Sequence, residues 1–204
     1  KFEEQHLNTS NAWMRNWKTN SRPTYLHSGA KLITDSNKPN FGAVAYFDGV
    51  NDYGYAAANY AFSSAFTVCL WAMRKSNVGG TCLAFQNSSF DGLKFVLSNT
   101  ETSFTHLSDS VTSSAGSKNV WYHLAVTYDG TNLEGFVNGT SVGTTSHSFT
   151  SDTYELQLGR VLISGGGTYF KGTIDDVRRY SVALTSSEIA SIIADDNSKT
   201  FFNL

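Results

Sequence analysis

Trp121-Tyr122-His123-Leu124-Ala125-Val126-Thr127-Tyr128-Asp129-Gly130 and, a few residues on, Leu133-Glu134-Gly135-Phe136-Val137-Asn138-Gly139 decide how this chain folds. Residues 120–128 are rich in aromatic and β-branched side chains and stop at Asp129-Gly130, a pair suited to a turn. Asn138-Gly139 stands between two further runs, 133–137 and 141–144. Asn-Gly between strand-like runs is the strongest short-range hairpin signal, because both residues accept the positive φ of a tight turn.

The same punctuation extends in both directions. Strand-like runs lie at 44–47, 53–57, 66–73, 82–85, 93–97 and 103–107 before this stretch, and at 154–158, 169–170 and 173–180 after it. Turn signals recurring about every 8–12 residues describe a sandwich or barrel. Phe66, Val68, Leu70 and Ala72 alternate with Thr67, Cys69, Trp71 and Met73, so this strand is apolar on both sides. It belongs in the middle of a sheet, with the second sheet on one face and a cover on the other. Thr185-Ser186-Ser187-Glu188 reads as a capping box, and Ile189, Ile192 and Ile193 then share one helical face. A short helix is expected there, its isoleucines packing on the sandwich.

Composition agrees. The chain has 204 residues, 15 basic against 17 acidic, 17 Gly and only 2 Pro, with aromatics at 14%. A single all-β domain of this length can bury a sizeable core. A net charge of −2 without a basic stripe argues against a nucleic-acid partner. No apolar run approaches the roughly 20 residues a helical membrane span needs. Lys1-Phe2-Glu3-Glu4 is not the start of a secretory leader, which leaves the compartment open. Residues 1–22 lack β alternation and read as an N-terminal arm, helical or extended, that covers a sheet edge or contacts another subunit. Residues 23–197 form the domain and 198–204 a tail carrying Phe201-Phe202.

Six segments in order resemble one family. Phe47-Asp48-Gly49-Val50-Asn51-Asp52-Tyr53 is similar to the FDGxxDY segment of laminin-G-like domains, and Phe66 to Trp71 to their FTxxxW strand. The Trp121–Gly130 stretch is similar to WxHxAxTYDG, Phe136-Val137-Asn138-Gly139 to YxNG, and Leu156-Gln157-Leu158-Gly159 to LxIG. Phe170-Lys171-Gly172-Thr173-Ile174-Asp175-Asp176-Val177-Arg178-Arg179-Tyr180 with Ala183-Leu184-Thr185 is similar to FxGxIDDVRxYxxALT. The chain thus resembles the laminin-G-like and pentraxin-like branch of the concanavalin A-like lectin/glucanase superfamily. The resemblance implies an all-β, two-sheet antiparallel jelly-roll sandwich, here with one short C-terminal helix.

It also implies a site repertoire. A structural calcium in such domains would fall to Asp48, Asp52 and Asp176, with Asn51 and Asp175 close in sequence; calcium takes six to eight oxygens. The alternative is that these aspartates only cap turns. The pentraxin ligand-bridging site does not carry over, since Arg160-Val161-Leu162-Ile163 holds no carboxylate and Asp91 is followed by Gly92. Cys69 matches a pentraxin disulfide position whose partner position is Ala125 here, leaving Cys82 as the alternative. A Cys69–Cys82 bridge is expected, against two buried free thiols. His123 matches a strand position of the family and reads as structural.

Relatives that cleave glycans need two carboxylates flanking the scissile bond. The six glutamates, Glu3, Glu4, Glu101, Glu134, Glu155 and Glu188, form no such strand pair, and Asp175 and Asp176 are adjacent. No catalysis is expected. Ser164-Gly165-Gly166-Gly167-Thr168 lacks the lysine of a phosphate loop and reads as a hairpin tip. Tyr60, Phe90, Tyr154 and Tyr169 are the candidate loop aromatics for stacking on sugar rings. Sequons at Asn8, Asn87 and Asn138 point, with the expected disulfide, to an extracellular glycoprotein. The expected role is recognition of glycan or glycoprotein in adhesion. The alternative is a structural subunit of a filament, sheath or viral fibre that contacts other subunits through its arm.

Overall fold

The computed structural model describes residues 13–14, 24–35, 43–62, 64–149 and 153–198. Among them the strands run β1 (Trp13–Met14), β2 (Thr24–His27), β3 (Lys31–Thr34), β4 (Ala43–Asp48), β5 (Tyr53–Ala61), β6 (Phe66–Arg74), β7 (Gly79–Gln86), β8 (Gly92–Ser98) and β9 (Glu101–His106). They continue with β10 (Asp109–Ser114), β11 (Tyr122–Tyr128), β12 (Asn132–Val137), β13 (Thr140–Ser146), β14 (Thr153–Leu158), β15 (Arg160–Ile163), β16 (Gly166–Tyr169) and β17 (Lys171–Tyr180), before helix α1 (Ser186–Ser198). Two large antiparallel sheets result, an eight-stranded one ordered β1-β2-β5-β14-β7-β8-β9-β10 and a seven-stranded one ordered β13-β12-β11-β6-β17-β4-β3. β15 and β16 pair only with each other.

Residues 121–139 lie where their side chains dictate. β11 pairs β6 on one side and β12 on the other, and β12 turns at Asn138 (φ 51) and Gly139 (φ 79) into β13. β6, apolar on both faces, is buried along its whole length in the middle of its sheet. Its Phe66, Val68, Leu70 and Ala72 enter the inter-sheet core. There they meet Phe47, Phe85, Phe95 and Phe104, all at most 2% exposed. Side chains of this size contribute roughly 1.5–3 kcal/mol each on burial. Edge-on ring pairs such as Phe95–Phe104, with centroids 5.2 Å apart, lock the layer.

The expected disulfide is absent: Cys69 and Cys82 are both free. The chain crosses the sandwich between β6 and β7, so the two cysteines belong to different sheets. Cys82 faces the inter-sheet core, while Cys69 lies in a separate cluster with Ala125, Phe136 and Ile189. Burial pushes both thiols up to about 12, which leaves them protonated and inert. Of the N-terminal arm, Trp13 and Met14 pair with Tyr25 and Thr24 at the edge of the eight-stranded sheet. The remainder of the arm, the sequon at Asn8 and the tail lie outside the described residues.

Candidate functional site

Each sheet has an inner face on the common core and an outer face. The outer face of the seven-stranded sheet is taken up by α1. Thr185 and Glu188 close the capping box reciprocally: the Thr185 amide donates to Glu188 Oε2 (2.8 Å) and the Glu188 amide to Thr185 Oγ1 (3.3 Å). Ile189 is fully buried against Cys69, Ala125 and Phe136, with Ile193 beside it. Trp71 Nε1 donates to Asp196 Oδ2 at 3.0 Å, and Arg178 binds both Asp176 and Asp196. A bulge between Asp175 and Arg178, with Asp176 at φ 49, lets these neighbours enter one buried network. Burial of Asp175 pushes its carboxyl up to about 8. Burial also opposes the charge on Asp176, but its carboxyl stays below its usual value with the Arg178 guanidinium against it.

The outer face of the eight-stranded sheet is built differently. Leu26, Ala56, Leu83, Phe85, Leu93, Leu156 and Leu158 face the core, so the residues alternating with them face outward. Register aligns Tyr25, Tyr55, Gln157, Ala84, Lys94, Thr105 and Ser110 in one row across seven strands. At Gly159 (φ 70) the chain leaves β14, and the β15–β16 hairpin packs on β7. The Gln86 amide clamps it, accepting from Leu162 N (2.8 Å) and donating to Leu162 O (3.0 Å). Outward-facing Ala84 is fully buried beneath this ridge. One half of the face is therefore aromatic and the other, with Lys94, Thr105 and Ser110, is polar.

The aromatic half is preassembled. His27 and Tyr53 stack at 4.6 Å and 12°. The Arg160 guanidinium lies 3.3 Å from the Tyr53 ring centroid, and its Nε donates to Gln157 Oε1 at 2.7 Å. Tyr55 donates to Glu155 Oε1 at 2.8 Å. Partial burial and then the Arg160 charge lower the His27 pKa, favouring the neutral ring. Burial, with the Glu155 hydrogen bond, raises that of Tyr55 and keeps its hydroxyl a donor. Tyr25 is 44% exposed at the rim. Such a surface offers aromatic rings, hydroxyls and a guanidinium at fixed positions.

The aromatics predicted from sequence are not the ones gathered here. Tyr154, expected in a loop, is 1% exposed and packs in the core against Phe62. Tyr60 is on β5, half-buried against Phe85. Phe90 is exposed in the 87–91 turn, and Tyr169 opposes Arg160 in the hairpin. The missed residues Tyr25, His27, Tyr53, Tyr55 and Gln157 did leave a trace: Tyr53-Gly54-Tyr55-Ala56 alternates aromatic with small residues, the mark of a strand with one outward aromatic face.

The carboxylates assigned to calcium do not converge. Asp48 Oδ1 takes the amides of Val50 and Asn51, and Asp52 Oδ2 takes the Asp48 amide (2.9 Å). Asp52 is buried, its Oδ1 has no hydrogen-bond partner among the described residues, and burial raises its pKa. β17 does run beside β4, but Asp48 faces Lys171, five residues from Asp176 and so about 16 Å along the strand. Among the described residues no three His, Cys, Asp or Glu side chains group as a metal site. Asn138 and Asn87 both accept backbone amides, from His123 and from Ser89 and Asp91, and so have turn roles whatever else they carry.

Comparison with known proteins follows the same lines. A family model described as the concanavalin A-like lectin/glucanases superfamily, Laminin_G_3, matches residues 47–190. No curated protein matches the chain. Among solved structures, domain 4 of AbnA, a GH43 extracellular arabinanase from Geobacillus stearothermophilus in complex with arabinotriose, superposes with a TM-score of 0.68 at 18% identity, covering 86% of this chain and 90% of that one. A botulinum neurotoxin type C structure, described as dependent for cell entry on two ganglioside molecules, gives 0.67 at 13% identity, covering 93% and 52%. Trypanosoma rangeli sialidase in complex with sialic acid gives 0.66 at 14%, covering 89% and 31%. The likeness is one of fold, and this chain spans about half of the toxin chain and under a third of the sialidase.

Proposed function

We propose that this chain, which belongs to the Laminin_G_3 family of the concanavalin A-like lectin/glucanases superfamily, is a non-catalytic carbohydrate-binding domain that takes its ligand on the aromatic half of the open outer face. The observation that carries this reading is the Tyr25–Tyr55 pair with Tyr53, His27 and Arg160 beside it, outside the core, with Tyr55 held by Glu155 and Arg160 by the buried Gln157 beneath them. Tyrosine rings cover pyranose faces at low entropic cost, and fixed hydroxyl and guanidinium groups pair with sugar hydroxyls. The named ligands of the neighbouring structures, arabinotriose, gangliosides and sialic acid, lend general support.

Two features favour binding without cleavage. Glu155 is the carboxylate on this half of the face among the described residues, and its Oε1 is engaged by Tyr55. Asp175 and Asp176 are buried on the opposite side of the molecule, under α1. The pair of opposed acids that glycoside hydrolysis requires is thus not gathered here. The reading needs no calcium. An extracellular setting is part of the proposal and rests on the sequons.

A glycan array probed with the purified chain tests it. Binding competed by free sugar and lost in Tyr25→Ala is the expected result. Silence on the array together with concentration-dependent oligomers in light scattering would favour the structural-subunit alternative. Sustained release of reducing ends, abolished by Glu155→Gln, would overturn the non-catalytic assignment.

A further inference from the structure

We infer that the sugar held on this face carries a carboxylate and that Arg160 is the residue that selects it, an inference that rests on the carbohydrate-binding reading above. Arg160 opens β15 at the foot of the hairpin, directly after the reversal at Gly159. Its guanidinium is held in two ways: Nε donates to Gln157 Oε1 at 2.7 Å, and the plane lies on the Tyr53 ring, 3.3 Å from the centroid. Among the described residues neither contact engages the two Nη groups. Among the described residues no carboxylate forms an ion pair with them, since Glu155 is engaged by the Tyr55 hydroxyl instead.

An arginine that serves only the fold ordinarily spends its fork, as Arg178 does on Asp176 and Asp196 and as Arg74 does on the carbonyls of Gly116 and Ser76. Arg160 is instead braced on one edge and one face, is itself partly exposed, and spends its Nη donors on no carboxylate or carbonyl among the described residues. A planar, pre-oriented fork matches the two oxygens of a carboxylate, and such charge-assisted bidentate pairs are roughly twice as strong as neutral hydrogen bonds. The bracing also removes the rotamer entropy a free arginine would lose on binding. His27, beside Tyr53, adds a ring edge without adding an anion. The ligand class is therefore a carboxylated pyranose, whether an in-chain uronate or a terminal sialate.

The probes are tetragalacturonate with its methyl ester, and 3′-sialyllactose with lactose, titrated calorimetrically against the full chain. The expected result is binding of at least one acid form with about tenfold or greater loss in its neutral counterpart. The tetragalacturonate arm reports an in-chain uronate and the sialyllactose arm a terminal sialate. Arg160→Met should erase the acid preference. Arg160→Lys, which keeps the charge and loses the fork, should restore little of it, with melting temperature as a check on folding. Equal affinity for acid and neutral forms, or an acid preference unchanged in Arg160→Met, overturns the role of Arg160 while leaving carbohydrate binding intact. Failure of every probe, acid and neutral, on a chain that remains folded counts against the carboxylate inference. If the array is silent as well, the carbohydrate reading falls with it.

Discussion

The two outer faces of this sandwich begin from the same backbone geometry and end in opposite conditions. On the seven-stranded sheet the outward residues Cys69, Trp71, Ala125, Phe136 and Arg178 are closed over by α1, and their polar groups are paired internally. On the eight-stranded sheet, Tyr25, Tyr53, Tyr55 and Arg160 keep part of their surface exposed, and among the described residues a narrow hairpin is what packs on this face. Charges on the first face are desolvated, so a misplaced one is costly. Those on the second keep solvent and lose little when altered. Stability is concentrated on the covered side and recognition on the open one.

The sharpest way to break this contrast is Arg178→Met. It takes the Arg178 charge away from the buried carboxylates of Asp176 and Asp196 and should cost about 3–5 kcal/mol in urea unfolding. A loss under 1 kcal/mol would show that the covered network is not a source of stability. Asp175 sharpens the comparison through pH. Burial pushes its carboxyl up to about 8 in the fold, against 3.8 for a free aspartate. Between those values the folded state holds a proton that the unfolded chain has lost, so this group makes stability fall as pH rises across that window. Asp175→Asn should remove that fall, read as a flatter midpoint-versus-pH curve. An unchanged slope would refute the assignment. Asp176 acts in the other direction: its pKa is lowered, so its contribution is present above the usual carboxylate value and is lost as pH falls through the folded value.

Smaller effects follow at the margins of the covered face and on the open one. Thr185→Ala removes the helix cap, with an expected cost of about 1 kcal/mol by denaturation. Tyr25→Ala on the open rim should stay within about 0.5 kcal/mol of the parent while removing glycan binding. If Tyr25→Ala destabilised the chain as much as Arg178→Met, the division of labour between the faces would be wrong.

Local chemistry was readable where a signal and its consequence lie close in sequence. Asn138-Gly139 makes its turn, Thr185 and Glu188 close their box, and the two-sided apolar pattern of β6 becomes a central buried strand. Residues 164–165 lie at the tip of the β15–β16 hairpin, as the glycine run suggested. The cysteine pairing failed because adjacency in sequence does not say which sheet a strand joins. Tyr154 failed because a bulge and a strand pairing, not a loop, set its direction. Asp176 shares a buried network with Asp196 rather than with Asp48, a partnership between residues on a strand and a helix that no spacing rule anticipates.

By itself the sequence determined the alternation of strands and turns, the family motifs, the helix and its cap, since each follows from backbone preferences acting over a few residues. Which face stayed open was decided only by tertiary structure. That choice depends on where α1 and the β15–β16 hairpin come to rest, and on a row assembled from β2, β5 and β14, which are distant along the chain. Side chains brought together by hydrogen-bonded register rather than by sequence proximity become a site only once the sheet exists.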